Sequence, residues 1–196
     1  MSSHKLFGKL DLSALPAGAW VVEVGSQREP QPAESDDNST TFLMRLADAA
    51  GLRFATVDFS QSTFEHAQSF VGDAAHLADG ATFIRDLAEP IAILYLDNFD
   101  VVYNEKHKAS LMSRVGTVYE DNAEEINNER AAQVHLEQAL AALPLLTKPA
   151  YVGFDDTMVR DGELWGKGAT AVPYLLEKGF SVAARGDDGL VLKTPE

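Results

Sequence analysis

Three acids, a histidine and a lysine stand where chemistry would need them. Asp97 follows the apolar run IAILYL, and Asp155 and Asp156 follow AYVGF. Both runs read as strands, which predicts the three carboxylates at the ends of neighbouring strands, about 5 Å apart. Carboxylates that close repel unless a cation neutralises them or one holds a proton. A hard divalent ion such as Mg²⁺, bound through oxygen, would resolve the conflict. Pairing with Lys167 or Arg160, or divergence into water, would also resolve it. His135 lies in NNERAAQVHLEQALAALPLL, seven residues after Asn128, and both project from one helical face lined by Ala131, Ala132 and Ala139. An imidazole titrates near neutrality and suits a general base, although a buried or surface histidine with satisfied bonds is the plainer reading. Lys167, between two glycines in LWGKGAT, is placed to neutralise a substrate carboxylate or phosphate, or else is a solvated turn lysine.

The elements that must position these groups alternate. AWVVEVG (19–25), LRFATVDFS, a short stretch near 75–78, IAILYLDNFDVVY and AYVGFDDT read as strands. Between them, STTFLMRLADAAG, QSTFEHAQSFVG, the stretch after Asp79-Gly80, the His135 segment and GKGATAVPYLLEKGF read as helices. SVAARGDDGLVLKT closes the pattern as two strands joined at Asp187-Asp188-Gly189, a hairpin signal. Strand–helix alternation implies a parallel sheet covered on both faces. The expected architecture is therefore α/β, a Rossmann-like three-layer sandwich whose seven-stranded, mostly parallel sheet ends in an antiparallel hairpin. NEKHKASLMSRVGTVYEDNAEEI (104–126) has no strong period and is expected as a loop or mobile cover.

Ligands of such sheets collect at the carboxyl ends of the strands. Here those ends read Glu23-Val24-Gly25-Ser26, Asp58, Asp79-Gly80, Asp97 and Asp155-Asp156. Gly25 permits a tight turn and a close ligand. Ser39, Thr40 and Thr41 fall at a helix start, where free N–H groups and hydroxyls can bind a carboxylate. Asp58 closes the second strand, where a carboxylate can accept ribose hydroxyl protons, a pattern shared by NAD and S-adenosylmethionine sites.

Composition narrows the function classes. Thirty acidic residues against 16 basic ones give a formal charge of −14, which argues against nucleic-acid and anionic-membrane partners. The absence of cysteine excludes thiolate chemistry. The opening residues lack a signal-peptide core, and the chain is expected to be a single soluble, cytoplasmic domain over 1–196 acting on a small molecule, with a homo-oligomer left open.

With E-x-G-S at 23–26, a Ser-Thr helix start, YLDNFD, NNE with HL, DDT and GKG, the sequence resembles class I S-adenosylmethionine-dependent methyltransferases over residues 19–194. It is similar in particular to a little-characterised bacterial group carrying these motifs, and more distantly to metal-dependent sugar O-methyltransferases. The resemblance implies that Glu23, Gly25 and Ser26 line the methionine part of the cofactor, that Asp58 takes the ribose, and that Asp79 and Gly80 lie near the adenine. It also implies that Asp97, Asp155 and Asp156 hold Mg²⁺ or orient the acceptor. The implied activity is methyl transfer to a small-molecule oxygen. The alternative is a descendant of that fold that binds without methyl transfer or catalyses a different reaction, and an NAD-dependent reductase is disfavoured by the single glycine. The polar run 27–38 is expected to form a lid over the cofactor loop.

Overall fold

The computed structural model describes residues 3–28 and 38–195. Most of the expected lid, residues 29–37, therefore lies outside the described residues. The apolar runs form β1 (Trp20–Val24), β2 (Arg53–Asp58), β3 (Ala75–Leu77), β4 (Ile91–Leu96) and β5 (Leu146–Phe154). After them come two short strands, β6 (Thr157–Arg160) and β7 (Glu163–Gly166), and the final pair β8 (Ser181–Arg185) and β9 (Leu190–Lys193). The main sheet is seven-stranded, ordered β3-β2-β1-β4-β5-β9-β8. β1 to β5 are parallel, and β9 runs antiparallel between β5 and β8. β6 and β7 form a separate antiparallel pair.

Helices cover both faces because strand residues alternate sides. Leu94 and Leu96 of β4 join a core with Ile84 of α3 (Gly80–Leu87), Ala139 of α5 (Asn128–Ala142) and Leu175 of α6 (Ala171–Glu177). Ile93 and Tyr95 point the other way, against Leu43 of α1 (Ser39–Ala49) and Leu6 and Phe7 of a 3-10 helix, Ser3–Lys9. Each α-helix from α1 to α3 opens on a side chain that caps its free N–H groups, namely Asn38, Ser60 for α2 (Gln61–Val71) and Asp79. Pro173 sits in the first turn of α6, where no N–H is required.

Two segments differ from expectation. Residues 105–121 form α4 (Glu105–Asp121), a 17-residue helix capped by Asn104, rather than a loop. Its apolar stripe is narrow, Leu111, Val115 and Tyr119, because it packs on Phe99, Ile126 and Val134 above the strand ends instead of on the sheet. The stretch before α6, read as a loop, contains the β6–β7 hairpin. Its turn is Asp161–Gly162, at φ 52° and 87°, the left-handed pair that matches the twist of a tight hairpin.

Candidate active site at the strand carboxyl ends

The strand registers set the site. Val24 pairs with Val57 and with Leu96, and Leu96 pairs with Phe154. The next residues, Gly25, Asp58, Asp97 and Asp155, therefore stand in one row across four strands. The strand order reverses between β1 and β4, which is where open parallel sheets bind ligands. Gly25 has φ +100°, and a Cβ there would overlap the Asn98 backbone. Its role is to let the β1 and β4 tips approach.

The row is flanked by two cavities. One, about 310 Å³, is lined by Gly25, Ser26, Arg28, Ser39, Lys167 and the three expected acids, among others. The other, about 270 Å³, lies beyond Asp58 between Phe59, Leu77, Asp79, Ala81, Phe99 and Val134.

Several residues read as ligand contacts also brace the fold. Glu23 is fully buried, and its carboxylate oxygens accept from Ser39 Oγ and Thr56 Oγ1, each at 2.7 Å, tying α1 to the sheet. Burial pushes its pKa up to about 7 against these hydroxyls. Thr40 Oγ1 accepts from the Gln27 N–H, and Ser26 Oγ bonds Thr56 Oγ1. Gly80 is packed where a Cβ would overlap Val24. Asp79 caps α3 by accepting from Thr82 N and also borders the second cavity. Asp58 accepts from the Ser26 and Ser60 N–H groups at 3.1 and 2.8 Å, two of roughly four acceptor positions on a carboxylate. Burial raises its pKa, with nearby Arg28 opposing.

The structure does bring Asp97, Asp155 and Asp156 together, with one oxygen of each within 4.8 Å of the others. It also fills the space between them. Lys167, only 3% exposed, has Nζ 2.5 Å from Asp97 Oδ1, 3.2 Å from Asp156 Oδ2 and 3.7 Å from Asp155 Oδ2. Two of its three donor hydrogens go to Asp97 Oδ1 and to the Asp97 carbonyl at 3.0 Å, and Asp156 Oδ2 lies within ion-pair distance. The remaining oxygens are engaged as well. Tyr103 donates to Asp156 Oδ1 at 2.6 Å, and Ser3 donates to Asp155 Oδ1. Burial and then Asp155 hold the Asp97 pKa well above the usual range, with Lys167 opposing. For Asp155 burial acts upward, but Lys167 and the hydrogen bonds from Asp97 and Ser3 outweigh it and hold the pKa below that range.

This donor set does not fit a divalent cation: of the two outcomes open to the acids, Mg²⁺ or pairing with Lys167, the structure holds the pairing. The carboxylates have the right spacing, but an ammonium already lies among them. A divalent ion ~4 Å from it would be repelled by about 8 kcal/mol at an effective dielectric of ~20.

His135 is not brought into the cleft. It is fully buried, with Nδ1 2.6 Å from the Ala131 carbonyl. A carbonyl only accepts, so Nδ1 carries the proton, while buried Nε2 has no hydrogen-bond partner among the described residues. Burial, reinforced by Lys167, lowers its pKa to about 3. A neutral imidazole with no path to the cavity is not the expected general base. Its helical neighbour Asn128 instead pins the loop after β4, bonding both N–H and C=O of Val102.

Several contributors escaped the sequence reading. Arg28 pairs with Asp100 at 2.7 Å, and Tyr119 of α4 accepts from Asp100 N and donates to its Oδ2. Arg114 of the same helix lines the first cavity, and Ser3 bonds Tyr95 Oη at 2.7 Å. Tyr95 and Asp100 lie within YLDNFD and Arg28 stands two residues after the E-x-G-S turn, which was the available signal. Nothing local marks Ser3.

No family model matches the chain, and no curated protein matches it in sequence. Solved structures share its fold. The ribosomal protein L11 methylase of Lactobacillus delbrueckii subsp. bulgaricus is 12% identical over 93% of this chain and 73% of that one, at a TM-score of 0.50. The TDP-rhamnose 3'-O-methyltransferase of calicheamicin biosynthesis is 15% identical over 96% and 75%, at 0.53. The mitomycin 7-O-methyltransferase is 11% identical over 97% of this chain and 52% of that one, at 0.52. At these identities the likeness establishes the fold, which is that of class I methyltransferases. No helix among the described residues is long and apolar enough to cross a membrane.

Proposed function

We propose that the chain binds S-adenosylmethionine across the tips of β1, β2 and β4 and transfers its methyl group to an oxygen of a small-molecule acceptor. The observation that carries this reading is the row Gly25, Asp58, Asp97 and Asp155 at the reversal of strand order, with a cavity on either side. The acceptor positions of Asp58 left free by Ser26 and Ser60 suit ribose hydroxyls. The apolar walls of the second cavity, Phe59, Leu77, Ala81 and Phe99, suit a purine, with Asp79 at its edge. Arg28 in the first cavity offers a cation to the methionine carboxylate.

When bound, the cofactor supplies an electrophilic methyl group on a sulfonium. The chain's contribution is alignment and removal of the acceptor's proton. Asp155 and Asp156 border the first cavity and are the groups placed to take that proton, while Asp97 and Lys167 hold them in position. The acceptor's proton would pass to one of these carboxylates as its oxygen takes the methyl group, with the thioether of the spent cofactor as leaving group. No step passes through His135 or through a metal.

Calorimetry with S-adenosylmethionine, S-adenosylhomocysteine and NADH tests the reading, with binding expected for the first two alone. Absence of binding by both overturns it. Binding of both without turnover on any hydroxylated acceptor would favour a binding module on this fold.

A further inference from the structure

We infer that Lys167 is a built-in replacement for a divalent ion, and that the β6–β7 hairpin exists to deliver it to the acidic cluster. The inference stands whether or not methyl transfer is retained.

The delivery is written into the backbone. After Asp156 the chain leaves along β6, turns at Asp161–Gly162 and returns along β7, with Thr157 paired to Gly166. The return must end against the residue from which the hairpin departed. Gly166, at φ +94°, allows this, because a Cβ there would overlap the Asp156 carbonyl oxygen. The Lys167 N–H then donates to that same carbonyl at 3.2 Å, and the Gly168 N–H donates to Thr157 Oγ1 at 2.8 Å. A Cβ at Gly168 would crowd Thr157 and Val172. The two glycines are therefore a clamp that fixes the lysine backbone at the hairpin base, not a loosened turn.

From that base the side chain has one destination. Its ammonium reaches all three carboxylates within 3.7 Å while remaining 3% exposed. A buried ammonium is tolerated only where carboxylates and acceptors surround it, and these carboxylates are tolerated only where a cation sits among them. The distal half of the hairpin is held in place as well. The Arg160 guanidinium lies 3.7 Å over the Trp165 ring and 5.3 Å over Tyr103, and Tyr103 in turn donates to Asp156. Hairpin, lysine and acids thus form one assembly in which the position of a metal is taken by a covalently attached cation.

The test is Mn²⁺ binding, read by electron paramagnetic resonance, together with thermal stability. Wild-type protein is expected to take up no stoichiometric Mn²⁺ at millimolar concentration, and its melting temperature should not respond to EDTA or Mg²⁺. Lys167→Met, which leaves the three carboxylates uncompensated, is expected to melt lower and to recover with Mg²⁺ or Mn²⁺, binding one ion. Adding Asp155→Asn to that variant should abolish the recovery. One Mn²⁺ bound to wild type and lost in Asp155→Asn overturns the inference, as does a folded Lys167→Met protein that gains no ion. If Lys167→Met does not fold, the wild-type and Asp155→Asn titrations decide the question alone.

Discussion

Replacing Glu23 by Gln should remove a pH dependence of stability that the wild-type fold carries. The Glu23 carboxyl titrates near 4.5 in the unfolded chain and at about 7 in the fold, because burial outweighs the hydroxyls of Ser39, Thr40 and Thr56. Below pH 4.5 the group is protonated in both states and its contribution is intact. Between 4.5 and 7 the unfolded chain releases the proton while the fold keeps it, so stability falls as pH rises; above 7 the loss is complete. At about 1.4 kcal/mol per pH unit, the gap amounts to at most about 3 kcal/mol. For a chain of this length that is a fall of roughly 6–12 °C in melting temperature. Gln keeps an oxygen acceptor and cannot ionise, so Glu23→Gln should match wild type in acid and exceed it at neutral pH. His135 works in the opposite sense: buried neutral with a pKa of about 3, it costs stability as pH falls from about 6.5, where the unfolded chain takes up a proton. That term is common to both proteins and cancels in their difference. Denaturant titrations at a series of pH values give the difference directly. A difference that stays flat from about pH 5 to about pH 8 would refute the linkage argument.

Asp58→Asn should weaken S-adenosylmethionine binding by about 1–3 kcal/mol, the range for losing charge-assisted hydrogen bonds, and an unchanged dissociation constant in calorimetry would remove the ribose contact. Gly25→Ala should cost at least about 2 kcal/mol in unfolding free energy, since it combines strain at a positive φ with a clash against the Asn98 backbone; a wild-type denaturation midpoint would contradict this. Tyr119→Phe removes the hydroxyl that bonds Asp100 twice and should cost about 1–3 kcal/mol. It should also speed amide exchange within residues 105–121, and unaltered exchange there would show that α4 is held by its apolar stripe alone.

The sheet was legible because its strands are apolar runs that end in acid or glycine, and the Asp187–Gly189 hairpin betrayed the antiparallel finish. α4 was not, because a helix lying on loops needs only Leu111, Val115 and Tyr119 and leaves the rest of its surface polar. The β6–β7 hairpin was missed for a similar reason: TMVR and ELWG are too short and mixed to show alternation, although Asp161–Gly162 is a turn signal in plain view. For the site, sequence located the acids and named Lys167 among the groups that could pair with them, but it gave no sign of Ser3. Ser3 is separated from Asp155 by 152 residues, and spacing carries no information about such a pairing. His135 shows the converse error. Its helical face was read correctly, yet that face turns inward, and a neutral buried imidazole leaves the same pattern as an exposed catalytic one.

The placement of β9 between β5 and β8 bears on the order in which the molecule can assemble during synthesis. β5 ends at Phe154, but the strand that covers its outer edge begins only at Leu190. The opening 3-10 helix is bound to the same late event: Ser3 lies against Gly189, and that helix packs on both β8 and β9. Its apolar residues Leu6 and Phe7 therefore leave the ribosome more than 170 residues before the hairpin that completes their surroundings. Until then β5 presents an unpaired edge, the kind of surface that recruits other chains. Asp155 also lacks the arrangement that brings Ser3 against it. The Ser3 contact of the acidic cluster thus depends on the last strands to be made, and a nascent chain halted before residue 190 would carry the acids and Lys167 without the architecture that seats Ser3 beside them.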